Sequence, residues 1–508
     1  MPMVRFGSPA KGTPLTVEVS AGTTLLAAAR QAGVLLESPC NGTGTCGKCR
    51  VRVDAPGNLR RVGSHPLPES DAERGWALAC HAEVRADVTV EVPEGREEGL
   101  RILSDGTRPE VDVSPWIRKE FDPAWGETRV FAGPEVIARE PWDTSEELYG
   151  LVVDIGTTTL VASLVDLCSG LELGSASALN PQALHAQDVL SRIQLGSEPE
   201  GLGVLQRELL REANRLTTCL TAQAGVRREL VYEAVFSGNT TMLHLAVGAD
   251  PRSLGKYPYT PALEGGTFVA ARELGLRIAP AGLVYLPPIL SAYVGADITS
   301  GILATSLHRR SGTTLFVDVG TNGEMVLAVE GELTATSTAA GPAFEGMNIE
   351  CGMRATAGAV ERFEVSEEGV SWKTIGAAEP AGLCGSGLVD LVGELAAHGA
   401  LDRNGRFAKP NRRPIRALRE RFGEREGRPL FHVTGPIVLP QKDVRQVQLA
   451  KGAVRAGIEL LLEAEGLDAP DVDRVLVAGS FGYHLRTKSL VNLGLLPAVL
   501  ADRVEFVG

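Results

Sequence analysis

Hydrophobic and polar positions in the first part of the chain predict a small sheet around one helix. Residues 15–19 read Leu-Thr-Val-Glu-Val, which has the two-residue period of a half-buried strand. The segment 23–32, TTLLAAARQA, places apolar residues at helical spacing. Two further alternating runs, at 49–53 and 88–92, predict two more strands. Residues 1–95 are therefore expected to form a compact α+β domain.

The pattern changes twice after this domain. Residues 96–148 are charged, weakly periodic and interrupted by proline, so they predict a linker with a short helix around 114–121 and no chemistry. Ordinary packing on a neighbour is expected for its aromatic residues. From residue 149 to 508, apolar strands alternate with glycine turns and amphipathic helices, including a long one predicted at 443–467. This alternation is typical of layered α/β architecture, here in two lobes.

Bulk properties narrow the class of protein. A chain of 508 residues with 44% hydrophobic residues is expected to fold as two to four domains. The net charge of -13 argues against a nucleic-acid partner, which needs a basic field. No apolar run of membrane-spanning length occurs, so a cytoplasmic protein without a membrane partner is expected. Eight cysteines are too few for a disulfide scaffold.

Three cysteines share one glycine-rich loop between the predicted helix and the third strand. The loop SPCNGTGTCGKC places Cys40, Cys46 and Cys49 in a C-x5-C-x2-C pattern, and Cys80 follows later. Four thiolates suit two irons bridged by two sulfides. The loop glycines allow backbone N–H groups to turn toward those sulfides. The pattern therefore predicts a [2Fe-2S] cluster as the metal site.

The alternative for these cysteines is a structural zinc site, which usually takes its ligands as two short pairs. The loop has one such pair, so the cluster is favoured. The segment also resembles [2Fe-2S] ferredoxins of the adrenodoxin-like branch, including the closing ALACHAEV. This resemblance implies a β-grasp ferredoxin-like fold for residues 1–95. The other cysteines lack ligand spacing and are expected to pack as small apolar residues: Cys168, Cys219, Cys351 and Cys384.

One short signature occurs twice in the α/β part. Residues 151–159 (LVVDIGTTT) and 315–323 (LFVDVGTNG) each predict a buried strand that enters a tight Asp-x-Gly-Thr turn. In such a turn the N–H groups and threonine hydroxyls can donate to phosphate, and the carboxylate can hold Mg²⁺ through water. One copy would more often be a plain hairpin. Two copies suit the two lobes of a kinase-like fold that clamps one polyphosphate.

A third glycine turn lies near the end of the chain. Residues 473–482 (DRVLVAGSFG) predict a buried strand that runs into a GSFG turn. This order resembles the adenosine motif of the actin, Hsp70 and sugar-kinase superfamily, in which the turn lets base and ribose lie against the backbone. Alone it is a common strand-to-helix connection. After two phosphate turns in the right order, it predicts ATP binding.

Several other stretches carry a more specific resemblance. Together with the ferredoxin-like domain they closely resemble the family of reductive activators of corrinoid proteins, over nearly the whole chain. The stretches are NPQALHAQDVLSRI (180–193), FSGNTTMLHL (236–245), YLPPILSAYVGADITS (285–300), STAAGPAFEGMNIECGMRATAGA (337–359), LCGSGLVDL (383–391) and VQLAKGAVRAGI (447–458). Members of this family continue past the strand at 502–508, so the sequence is expected either to be shortened there or to dispense with a final helical segment.

The resemblance implies roles for individual residues. It implies that four cysteines hold the cluster: Cys40, Cys46, Cys49 and Cys80. It implies that the aspartates of the two phosphate turns position Mg-ATP for catalysis: Asp154 and Asp318. It implies nucleotide binding by the other residues of the three turns: Gly156, Thr157, Thr158, Gly320, Thr321, Asn322, Gly479, Ser480 and Phe481. Two more turns are expected beside the nucleotide: Gly341, Gly385, Ser386 and Gly387.

The implied function is ATP-dependent return of an oxidised Co(II) corrinoid, carried on a methyl-carrier protein, to Co(I). The cluster would supply one electron, and an upstream donor would replace it. Because each 100 mV of deficit costs roughly 2.3 kcal/mol for one electron, ATP is expected to shift the balance between two lobe arrangements. The oligomeric state stays open, with a homodimer as one alternative.

Two other classes of function remain open from the residues alone. One is a small-molecule kinase fused to a ferredoxin, with Asp297 or Glu345 as the base. The cluster would then have no purpose, which counts against this alternative. The other is an ATP-gated electron-transfer module for a different acceptor, because the resemblance alone, and no residue chemistry, names cobalt.

Overall fold

The computed structural model describes residues 1–8, 11–38, 40, 42–44, 47–63, 67, 69–92, 113–409, 415–479 and 484–508. The chain divides into two compact units, one within residues 1–95 and 110–300 and the other within residues 301–508. Three predicted site residues, Cys46, Ser480 and Phe481, lie outside the described residues. The second unit has one large hydrophobic core, whereas the first unit has two, one within residues 1–95 and one within residues 149–300.

The first unit begins with the α+β domain predicted for residues 1–95. Its elements are β1 (Met3–Ser8), β2 (Lys11–Glu18), α1 (Leu25–Gln31), β3 (Arg50–Val53), β4 (Leu59–Arg61), α2 (Glu69–Glu73), β5 (Trp76–Leu78), β6 (Ala82–Val84) and β7 (Val88–Glu91). The main sheet has the order β2-β1-β7-β3-β5, with β1 and β7 parallel. Thr24 caps α1 by accepting from the Ala27 N–H (3.2 Å), and Leu25 is fully buried in the core. The predicted β-grasp ferredoxin-like arrangement is confirmed.

A small antiparallel sheet occupies part of the segment predicted as a linker. Its strands are β8 (Ile117–Asp122), β9 (Glu127–Ala132) and β10 (Glu135–Pro141), in the order β10-β9-β8. The short helix expected around 114–121 is therefore wrong. Gly126 and Gly133 adopt positive φ and allow the two tight turns, while Trp116 stacks on Phe268 with ring centroids 5.7 Å apart. The boundaries at 95 and 148 stay predictions, and residues 96–112 lie outside the described part.

The remainder of the first unit is one α/β lobe, called here the first lobe. Its elements are β11 (Tyr149–Ile155), β12 (Thr159–Asp166), β13 (Glu172–Leu179), α3 (Val189–Gly196), α4 (Pro199–Ala224), β14 (Val231–Gly238), α5 (Thr240–Val247), β15 (Thr267–Ala270), α6 (Ala271–Leu274), β16 (Leu283–Leu286) and α7 (Ala296–Ala304). The sheet order is β13-β12-β11-β14-β16-β15. Strand β11 pairs antiparallel with β12 and parallel with β14.

The second unit repeats this connectivity and is called the second lobe. Its elements are β17 (Thr313–Val319), β18 (Gly323–Val329), β19 (Glu332–Thr338), β20 (Ala359–Val365), β21 (Val370–Thr374), β22 (Gly382–Leu383), α8 (Gly385–Ala397), α9 (Arg416–Arg419), β23 (Phe422–Arg425), β24 (Arg428–Thr434), β25 (Ile437–Pro440), α10 (Gln441–Ala464), β26 (Arg474–Ala478), α11 (Thr487–Leu493) and β27 (Val504–Phe506). The sheet order β19-β18-β17-β26-β27 matches the first five strands of the first lobe's sheet, β13-β12-β11-β14-β16, and only the edge strand β15 has no counterpart in it. The duplicated signature thus marks a duplicated fold.

The packing predicted for the four other cysteines has a mixed outcome. Cys384 is buried as a small apolar residue, whereas Cys168 is exposed, so the packing prediction is wrong for Cys168. Within the residues that the structure describes, no helix combines the length and apolarity that crossing a membrane requires.

Candidate functional site

Two of the four predicted cluster ligands are in direct contact. The Sγ atoms of Cys49 and Cys80 are 3.3 Å apart, and both side chains are buried. Cys49 precedes β3 and Cys80 follows β5, so the antiparallel pairing of these strands brings the thiols together. The hydrogen bond with Cys80 lowers the pKa of Cys49 to about 7, although burial opposes the shift. Cys49 therefore ionises more readily than an ordinary thiol, as a metal ligand must.

The surroundings of this pair fit an iron-sulfur cluster. Two sulfurs bound to one tetrahedral metal at about 2.3 Å would be about 3.8 Å apart, so the two thiols, now 3.3 Å apart, need to separate only slightly to share one metal. Cys40 is near enough for its charge to act on Cys49, and Gly42 and Gly44 hold the intervening loop at positive φ. Among the described residues, no group of three or more His, Cys, Asp or Glu side chains could hold a metal ion. The fit therefore rests on the contacting pair and the loop.

The first Asp-x-Gly-Thr turn joins β11 to β12, as predicted, and is held from behind by three side chains. Asn180 Nδ2 donates to the Gly156 carbonyl (2.8 Å), and Arg192 Nη2 donates to the Thr157 carbonyl (2.7 Å). Asn239 Nδ2 donates to the Thr157 hydroxyl (3.2 Å). In a trans peptide the N–H points away from the carbonyl. Fixing these two carbonyls therefore fixes the opposite direction of the next two N–H groups, as a phosphate-binding turn requires.

Arg192 is a functional candidate that sequence reasoning did not identify. Its side chain is fully buried, and Nε donates to the Ala186 carbonyl (2.9 Å). Burial lowers its pKa to about 9, with the charge of Asp188 opposing, so it remains protonated at neutral pH. In the part of the chain described, no carboxylate forms an ion pair with it, and its hydrogen bonds go to neutral oxygens and to the Met242 sulfur. A buried cation next to the turn favours binding of an anion there.

We expect Arg192→Lys to weaken binding of a non-hydrolysable ATP analogue about tenfold or more, because one charged hydrogen bond is worth about 1.5–3 kcal/mol. Lysine keeps the charge but lacks the planar fork that reaches several carbonyls at once. Isothermal titration calorimetry measures the affinity. The matched control is Arg207→Lys, an exposed arginine on α4. If the two variants bind the analogue with equal affinity, Arg192 does not contribute to nucleotide binding.

Two carboxylates lie at this end of the first lobe. Burial raises the pKa of Asp154 to about 6, and the charge of Asp297 adds to the shift. The Asp154 side chain is nevertheless accessible to solvent, so protein surrounds it without sealing it. Burial also raises the pKa of Asp297 to about 6, against the opposing hydrogen bond from the Ile298 N–H (2.9 Å). Repelling carboxylates with access to solvent suit a hydrated divalent cation.

The raised pKa values predict a pH-dependent effect on stability. A carboxyl group whose folded pKa exceeds its unfolded value destabilises the protein above the folded pKa, and the penalty fades as pH falls through about 6. In EDTA at pH 8, we expect Asp297→Asn to increase the free energy of unfolding by on the order of 1 kcal/mol and thereby to raise Tm by a few degrees. At pH 5 the difference should shrink. A Tm difference that is the same at both pH values, measured by calorimetry, would contradict this interpretation.

The second Asp-x-Gly-Thr turn joins β17 to β18, also as predicted. The Gly320 N–H donates to the Asn322 carbonyl (3.0 Å), which closes the turn. The Thr321 hydroxyl donates to Glu345, so this threonine and the glutamate weighed as a kinase base are hydrogen-bonded to each other. Asp318 is half-buried near the end of β17. Its assignment to Mg²⁺ stays a prediction.

The predicted nucleoside turn begins beside this aspartate. Strand β26 runs parallel to β17 with Ala478 opposite Asp318. Gly479 follows at φ +110°, and a Cβ there would lie 2.4 Å from the Val319 carbonyl oxygen, so only glycine fits. The second Asp-x-Gly-Thr turn and the start of the predicted nucleoside turn thus meet at the carboxyl ends of neighbouring parallel strands. Ligands of α/β sheets bind at such positions.

The remaining predicted nucleotide residues lie in the second lobe. Gly341 adopts φ +78° with open space where a Cβ would be. Gly385, Ser386 and Gly387 begin α8 and are buried. A Cβ on Gly387 would lie 2.0 Å from the Val360 carbonyl oxygen, so this glycine allows α8 to pack closely on β20. Their contact with nucleotide stays a prediction.

Fold and site together define a ferredoxin-like domain joined to a two-lobed actin-like ATPase. Comparison with protein families agrees over three segments. Residues 10–85 match the 2Fe-2S iron-sulfur cluster binding domain. Residues 149–310 match the RACo middle region, and residues 312–508 match the C-terminal domain of RACo, described as the ASKHA domain. The chain therefore carries a [2Fe-2S] domain and a nucleotide-binding type of fold.

Comparison with individual relatives identifies the family of this ATPase. The chain is 30% identical over 516 residues to the corrinoid activation enzyme RamQ of Eubacterium limosum, covering 94% of this chain and 86% of the relative. It is 25% identical over 380 residues to the [Co(II) methylated amine-specific corrinoid protein] reductase of Methanosarcina barkeri, covering 71% and 68%. The solved structure of a reductive activator for corrinoid, iron-sulfur protein superimposes with a TM-score of 0.70 at 32% identity, covering 100% and 91%. The chain belongs to the family of reductive activators of corrinoid proteins.

Proposed function

We propose that this protein uses ATP to return the Co(II) corrinoid of a methyl-carrier protein to the Co(I) state. The observation that carries the proposal is the likeness along nearly the full length to corrinoid activators, at 30% and 32% identity. The ferredoxin-like domain and the duplicated phosphate turns supply the two kinds of chemistry that such an activity needs. One electron moves per event, so Co(II) gains one electron and the reduced centre loses one.

Four thiolates are proposed to hold the redox centre: Cys40, Cys46, Cys49 and Cys80. When bound, the [2Fe-2S] cluster supplies the electron for cobalt. The contacting Cys49–Cys80 pair supports ligation at the buried side of the loop. Because the electron must be replaced after each event, an upstream reductant is a second proposed partner. Thiolate ligands need a reducing compartment, which favours the cytoplasm.

The nucleotide is proposed to bind at the Asp-x-Gly-Thr turns as Mg-ATP. Asp154 and Asp318 would hold the metal through water, and the turn N–H groups would donate to phosphate oxygens. Gly479, with the adjoining Ser480 and Phe481, would receive the nucleoside. The bracing of the first turn by Asn180 and Arg192 supports a rigid phosphate cradle.

ATP is needed because reduction of Co(II) corrinoid by a [2Fe-2S] centre is unfavourable. A ligand shifts a conformational balance only by its difference in affinity for the two states. ATP and its hydrolysis products are therefore proposed to favour different arrangements of the activator, which change the docked geometry of the carrier or release it. Binding of ATP and of the carrier should then be coupled in both directions.

The decisive experiment mixes the reduced protein with a Co(II) corrinoid methyl carrier under anaerobic conditions. We expect Co(I) absorbance to appear quickly with Mg-ATP and to stay at the background level without nucleotide or with a non-hydrolysable analogue. Stopped-flow absorbance measures the rate, and the carrier should stimulate hydrolysis. If Co(I) forms equally well without nucleotide, or if ATP instead phosphorylates a small molecule, the proposal is wrong.

A further inference from the structure

Residues 180–192, which we call the bridge segment, carry two sets of contacts within the first unit. One set reaches the first phosphate turn, where Asn180 Nδ2 donates to the Gly156 carbonyl and Arg192 Nη2 donates to the Thr157 carbonyl. The resemblance gave this segment no chemical role. Its two ends thus hold two successive carbonyls of one nucleotide turn.

The middle of the bridge segment contacts the ferredoxin-like domain. Gln187 Oε1 accepts from the Ser38 N–H (2.7 Å), and Gln187 Nε2 donates to the Leu36 carbonyl (2.8 Å). The amide thereby pairs with a backbone donor and acceptor two residues apart, as a neighbouring strand would. Ser38 is buried and lies two residues before Cys40. Gln187 therefore hydrogen-bonds to the backbone segment that leads into the cysteine loop.

A direct hydrogen bond joins the two sets of contacts. Arg192 Nε donates to the carbonyl of Ala186, the residue next to Gln187 (2.9 Å). The two domains also interact electrostatically nearby, since the positive charge of Arg30 on α1 adds to the effect of burial in lowering the pKa of the half-buried His185, against the opposing charge of Glu208. Any movement of the Thr157 carbonyl must therefore displace Arg192 or break its hydrogen bond. A displaced Arg192 would in turn pull on the residue next to Gln187.

We propose that Gln187 is a positioning residue that seats the cysteine loop on the first lobe, and that the bridge segment couples this seat to the phosphate turn. The coupling rests on the proposed function, because it needs nucleotide at the turn. The seating does not. In this scheme, nucleotide bound at the turn strengthens or weakens the hydrogen bonds between Gln187 and residues 36–38. Nucleotide thereby changes the environment and presentation of the cluster loop from inside one compact unit.

Hydrogen exchange of the holoprotein tests the seating. Gln187→Ala should speed exchange of the Ser38 amide roughly fivefold or more, as expected from the loss of one net hydrogen bond. The matched control is Gln194→Ala, an exposed glutamine on α3, which should exchange like the unmutated protein. Iron content and Tm verify that each variant is folded. Unchanged exchange at Ser38 in Gln187→Ala would overturn the seating.

The same samples test the coupling after addition of the Mg²⁺ complex of a non-hydrolysable ATP analogue. Exchange at Ser38 and the midpoint potential of the cluster should both shift in the unmutated protein and in Gln194→Ala. Neither should shift in Gln187→Ala, although calorimetry should show that it still binds the analogue. A response that persists in Gln187→Ala, or none in unmutated protein with analogue bound, overturns the coupling. Failure of the analogue to bind refutes the proposed nucleotide site and the coupling with it, whereas the first measurement still decides the seating.

Discussion

Cys49→Ser is expected to reduce ATP-dependent Co(I) formation to the background rate. Cys49 lies against Cys80 with sulfur atoms 3.3 Å apart, so removal of one thiolate leaves one iron without a ligand pair. The anaerobically purified variant should lose most of its iron and sulfide and the rhombic S = 1/2 signal of the reduced cluster. ATP should still bind, because the predicted nucleotide residues lie at 154 and beyond. Iron and sulfide analysis, electron paramagnetic resonance and stopped-flow absorbance provide the measurements.

The control for this variant is Cys168→Ser. Cys168 is exposed in the first lobe and lies outside the predicted ligand set. It should therefore retain the cluster and full Co(I) formation. One zinc and no sulfide in the unmutated protein would refute the cluster, and a fully active Cys49→Ser protein would refute the assignment of this ligand.

Asp318→Asn is expected to slow carrier-stimulated ATP hydrolysis about 100-fold or more, because loss of about 3 kcal/mol of metal-dependent stabilisation corresponds to that factor. The amide retains the size of the side chain but loses the charge that would hold Mg²⁺. Asp318 lies beside Gly479, so phosphate and nucleoside binding should both respond to the change. Phosphate release measured with saturating carrier reports hydrolysis, and Co(I) formation should fall in parallel.

Asp502→Asn is the matched control in the second lobe. Asp502 is exposed and lies outside the three turns, so hydrolysis should match the unmutated protein. The visible spectrum of the cluster should be the same in both variants. Normal hydrolysis in Asp318→Asn would mean that the duplicated turn is a plain hairpin.

Local elements of this protein were predictable because neighbouring residues determine them. The alternation at 15–19, the helical spacing at 23–32 and the two hairpins at 151–165 and 315–329 all correspond to elements of the structure. Each depends on periodicity or on a tight turn between adjacent strands. The expected helix at 114–121 failed for the complementary reason. Its residues join a sheet whose other strands come later in the chain, and pairing overrides a weak local preference.

The residues of the candidate site also fall into two groups, those that local sequence predicts and those that only long-range packing brings together. Cysteine spacing and the repeated Asp-x-Gly-Thr signature mark their chemistry in the sequence, because loop ligands and turn residues must be near one another along the chain. The supporting residues carry no such mark. Arg192 and Asn239 meet Thr157 from 35 and 82 positions away, and no local pattern separates them from other polar residues.

The sequence by itself determined the class of fold and the two Asp-x-Gly-Thr hairpins, and it predicted the cysteines of one loop as cluster ligands. Only the tertiary structure decided that Gln187 hydrogen-bonds to Ser38, 149 positions away, and that the buried Arg192 supports the first turn. It also decided that burial raises the pKa values of Asp154 and Asp297 to about 6. The physical reason is that hydrogen bonding and burial depend on which elements pack together. Such packing follows from long-range core formation, whereas turn and strand preferences act over a few residues.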